Sequence, residues 1–184
     1  LDIPVAGVAG LIGNLQKFLP PRFAIAEDVS DALGMITVVG PEAAGTLSRL
    51  ALSLRVEAGD LTVLQEGAWR LMGTDLTDGL LVMKSEEVWP EAYSVLGAAE
   101  ALQEFWRTLV DDGAVPAGLG VWSTLRVEAG RPAFGTDMDE QTIPIEAGIH
   151  KRAIDYEKGC FTGQEVIIRI RDRGHVNRRL RGLR

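Results

Sequence analysis

Helical and strand-like periodicities come in clusters along this chain and do not alternate strictly. Residues 5–19, "VAGVAGLIGNLQKFL", place Val5, Val8, Leu11, Ile12, Leu15 and Leu19 at three- and four-residue spacings, a helical stripe that "PP" at 20–21 stops. Phe23 and Ile25 alternate with Ala24 and Ala26 as in a strand, and "GMITVV" at 34–39 is apolar and β-branched, as in a central strand. "GP" at 40–41 turns the chain, and Pro41 suits the start of a helix reaching about Leu52. "LTVL" (61–64), "WRLM" (69–72) and "GLLVM" (79–83) read as strands. Helical spacing returns through Ala98, Leu102, Phe105, Trp106 and Leu109, with "DDG" at 111–113 as its stop and a short helix expected over 119–128. "EVIIRIR" at 165–171 again looks like a strand. This order predicts an α+β fold with mixed or antiparallel sheets and flanking helices, not a doubly wound parallel sheet.

A chain of 184 residues is by default one domain, and burying roughly 70% of its unfolded surface gives it a sizeable core. No apolar run approaches the length of a membrane span. The net charge of −7 argues against direct nucleic-acid or membrane binding. Charge is uneven, however. Residues 158–184 hold eight basic and two acidic side chains, a net +6 that leaves −13 for the rest. The basic tail could meet an anionic ligand or neutralise the acidic body. The hexapeptide "LRVEAG" occurs at 54–59 and again at 125–130, at most a hint of duplication.

Most familiar catalytic patterns are missing. There is no phosphate-binding glycine loop, and neither His150 nor His175 has a metal-ligating partner at the right spacing. "DMDE" at 137–140 lacks the glycine and distal glutamate of a calcium loop. One segment stands apart: "KGCFTGQE", Lys158 to Glu165, which holds the single cysteine. One cysteine excludes an intramolecular disulfide and suits a reducing, cytoplasmic setting. In an extended segment Lys158 and Cys160 would share a face, and an ammonium beside a thiol favours the thiolate. The plainer reading of the same residues is a small cysteine in a tight turn.

The octamer resembles the K-G-C-[FY]-x-G-Q-E hallmark of the YgfZ-type folate-binding proteins, relatives of the T protein (aminomethyltransferase) of the glycine cleavage system. "VVGPEAAGTL" (38–47), "GLGVWSTLRVEAGRPAFGTDMDEQTIPIEAG" (118–148) and the tail "RGHVNRRLRGL" are similar to further stretches of that family. The resemblance runs from about residue 15 onward. It implies an α+β folate-binding core over 1–155, then the octamer and a strand over 156–184 leading toward a small C-terminal β-barrel that is absent or truncated here.

What the resemblance implies for function is a tetrahydrofolate-binding, monomeric accessory protein acting on iron–sulfur client proteins, with no classical enzyme activity and no metal of its own. Cys160 would be the reactive thiol and Lys158 would tune it. Gly159 and Gly163 would shape the turn, and Gln164 and Glu165 would hydrogen-bond the motif or ligand. Trp122 could stack on a ring, and Asp78 could replace the pterin-binding glutamate, whose place in the family pattern falls on Leu81. Arg126 could pair with a folate tail or, the favoured reading, with a carboxylate of the protein. The alternative is a folate-dependent aminomethyl or one-carbon transferase. Against it stand the lack of an aspartate near "GVAGLIGNLQ", Leu81, and Trp122 where the T protein has an arginine. A third reading makes the octamer a purely structural brace.

Overall fold

A computed structural model describes residues 3–53, 59–76, 79–85 and 87–182. The chain divides into two compact units, Leu1–Leu125 and Arg126–Arg184. All of the first "LRVEAG" copy but Gly59, and Asp78, fall outside the described residues, so the hint of duplication and the role expected for Asp78 have no structural counterpart here.

The first unit contains helix α1 (Val5–Phe18), strand β1 (Leu33–Val39), helix α2 (Ala43–Ser53), strands β2 (Trp69–Met72), β3 (Leu80–Ser85) and β4 (Ala92–Ala98), and helix α3 (Ala99–Asp111). Helix α4 (Leu119–Glu128) crosses into the second unit, which adds α5 (His150–Ala153) and α6 (Gln164–Arg173). The strands form an antiparallel sheet in the order β1-β4-β3-β2. This bears out the expected α+β class with an antiparallel sheet.

Alternation along the strands sends Ile36, Val38, Val82, Tyr93 and Val95 into one core with Leu47 and Leu50 of α2 and Leu102, Phe105 and Leu109 of α3. The opposite face carries two cross-strand rows. One is Met35–Leu96–Leu81–Leu71; the other is Thr37–Ser94–Met83–Trp69. Tyr93 is fully buried, and its hydroxyl lies 3.1 Å from the Leu61 carbonyl oxygen and 3.0 Å from Glu91 Oε1. Burial and the Glu91 carboxylate push this phenol above its ordinary range. Tyr93→Phe is expected to cost about 1–2 kcal/mol of unfolding free energy, because the Leu61 carbonyl then loses a buried donor. Urea denaturation measures it.

Four local expectations are corrected. "GMITVV" forms an edge strand, not a central one; the central position beside it belongs to β4. Phe23 and Ile25 lie in no strand and are 70% and 84% exposed. "LTVL" starts a 3-10 turn, Leu61–Val63, because Asp60 accepts the Thr62 N–H (2.9 Å) and so offers the backbone a local partner. "EVIIRIR" is helical, not a strand. Gly163, at φ 82°, caps it in the left-handed region, Glu165 sits in its first turn, and Arg171 and Arg173 sit in its last, where each charge complements the helix dipole. Ile167 supplies its buried contact, so three-residue spacing to Ile170 prevails over β-branched propensity.

Candidate functional site

The octamer is an exposed turn. Asp155 Oδ1 accepts the backbone N–H groups of Glu157 and Lys158 (2.9 and 3.2 Å), which bends the chain before the motif. Cys160 is exposed. Lys158 Nζ lies over the Phe161 ring, 5.6 Å from its centroid. The segment is bent, not extended, so the shared face expected for Lys158 and Cys160 does not arise from strand geometry. Gly159 and Gly163 are exposed, Gln164 and Glu165 open α6, and Glu165 pairs with Arg169 at 2.6 Å across one helical turn. Among the described residues no group of three His, Cys, Asp or Glu side chains is placed to hold a metal ion. Because the Cys160 side chain stands in solvent, Cys160→Ser is expected to change stability by less than about 0.5 kcal/mol. A larger loss in thermal melting would revive the brace reading.

Arg126 has protein partners. Its Nη1 donates to the Arg131 carbonyl oxygen (2.6 Å) and to Asp137 Oδ2 (2.5 Å), and Asp137 also accepts the Ala133 N–H (2.9 Å). Both aspartates of "DMDE" are thus turn-forming: Asp139 likewise accepts from Thr142 and Gln141.

Trp122 lines a cleft in the first unit. This cleft encloses about 380 Å³. Its floor is Ile36–Val39 of β1 with Gly40, and its walls include Trp106 and Leu109 of α3, the Ala114–Gly118 connection, and Val121 and Trp122 of α4. A volume of this size and an apolar lining suit a small organic ligand. No carboxylate lines it; its polar side-chain groups are the Thr37 hydroxyl and two indole N–H donors. The flat body of a pterin therefore fits this lining. Acceptors for the pterin's N–H groups would have to come from the backbone.

Ser94 was not anticipated. It is 6% exposed, sits on the central strand β4, and faces Thr37 across the ladder. β4 itself was missed because "AYSVLGA" is rich in small residues of weak strand propensity. A Cβ on Gly97 would lie 2.5 Å from Leu80 Cδ2 and 3.2 Å from the Gly79 carbonyl oxygen, so close packing selects glycine there. The polar Ser94 between apolar neighbours was the available signal.

The first unit is thus an α+β fold with an antiparallel sheet and an apolar cleft beside strand β1. Residues 8–158 match the GCVT N-terminal domain, and the chain belongs to that family. The matched span ends at Lys158, where the octamer begins. The chain is 33% identical over 168 residues to an aminomethyltransferase of Thermosynechococcus vestitus, covering 91% of this chain and 43% of the relative. It is 34% identical over 148 residues to one of Rubrobacter xylanophilus (80% and 38%) and 32% identical over 157 residues to one of a Nostoc species (85% and 40%). The chain spans about two fifths of the length of these relatives. Their name favours the transferase alternative over the iron–sulfur reading. Among the described residues no helix is long and apolar enough to cross a membrane.

Proposed function

We propose that this chain forms part of a folate-dependent protein of the T-protein type, which moves an aminomethyl or one-carbon group with tetrahydrofolate as acceptor. The observation that carries the reading is the family match across residues 8–158, with relatives named aminomethyltransferase. The cleft beside Trp122 supports it with a place for a flat ring. Tetrahydrofolate, when bound, would supply the nitrogen that takes up the one-carbon unit. The protein's own task is to hold the ring and exclude water. Helix α1 carries no carboxylate, so an aspartate serving the transfer lies outside α1.

Anaerobic calorimetry with tetrahydrofolate tests the binding, and turnover of an aminomethyl donor tests the transfer. Saturable binding with turnover is the expected result. Absence of both in the folded protein overturns the reading. A second reading rests on the exposed Cys160: binding without turnover, with a client's iron–sulfur activity falling in Cys160→Ala, would favour the accessory role at iron–sulfur proteins.

A further inference from the structure

We draw no further inference here: the strongest candidate, the exposed arginines Arg173, Arg179 and Arg181 at the end of α6 and in the tail that follows it, carries nothing, because a guanidinium pairs alike with a carboxylate or a phosphate and nothing in the structure shows what covers this surface.

Discussion

Phe105→Ala is expected to lower the unfolding free energy of the first unit by about 3–5 kcal/mol. Phe105 is 2% exposed and sits in the middle turn of α3, between Leu102 and Leu109, where that helix meets the sheet and α2. Truncation removes the transfer energy of a whole aromatic ring. It also leaves a cavity that α3 cannot close without losing its neighbours' contacts. A domain of this kind has about 5–15 kcal/mol in hand, so the loss is a large share of the total. Glu104→Ala, one residue earlier on the exposed face, should stay within about 0.5 kcal/mol. Chemical denaturation of both variants separates the burial effect from helix propensity, since both end in alanine. A loss below about 1 kcal/mol for Phe105→Ala would mean that α3 is not seated on the sheet as described.

Arg126→Ala is expected to destabilise the second unit by about 2–3 kcal/mol, below the full cost of breaking a buried pair because water still reaches this one. The Arg126 side chain is 12% exposed and that of Asp137 25%. Removal leaves the Asp137 carboxylate its bond from the Ala133 N–H but takes away the guanidinium, and it strips the Arg131 carbonyl of this donor. The effect should depend on pH in a definite direction. The Ala133 N–H first, and Arg126 after it, hold the Asp137 carboxyl below its usual range. That stabilisation is present above the unfolded value of about 3.9 and is lost as pH falls through the lower folded value. The gap between wild type and Arg126→Ala should therefore be wide at neutral pH and narrow toward acid. Weakened folate binding with unchanged stability would instead assign Arg126 to the ligand's tail.

The residues themselves made much of the fold legible. Helices α1, α2, α3 and α4 and strands β2 and β3 follow from local periodicity and from punctuation such as Pro20–Pro21 and the Asp111–Gly113 stop. So does the α+β class, because clustered strands favour hairpin pairing over crossovers. The resemblance was legible in the octamer "KGCFTGQE" and in stretches such as 118–148; the match over 8–158 supports its wider part, the T-protein superfamily, and not the YgfZ-type subfamily. The role of Arg126 as a partner of the protein's own carboxylate was also within reach, although its particular partner, Asp137, was not.

Tertiary structure decided the rest. Whether "GMITVV" lies at the centre or the edge of a sheet depends on which strands pair with it, and no local pattern encodes that. β4 forms because β1 and β3 satisfy its backbone from both sides, against the weak propensity of its small residues. α6 reads as a strand by its isoleucines and folds as a helix, with one of those isoleucines buried and its charges aligned with the helix dipole. The cleft beside Trp122 assembles residues from β1, α3 and α4 that lie up to 89 positions apart, from Ile36 to Leu125. A site of that kind exists only once the sheet edge is left open and two helices are set beside it. The sequence by itself determined helices α1 to α4, strands β2 and β3 and the wider family; long-range pairing alone placed the edge, and with it the cleft.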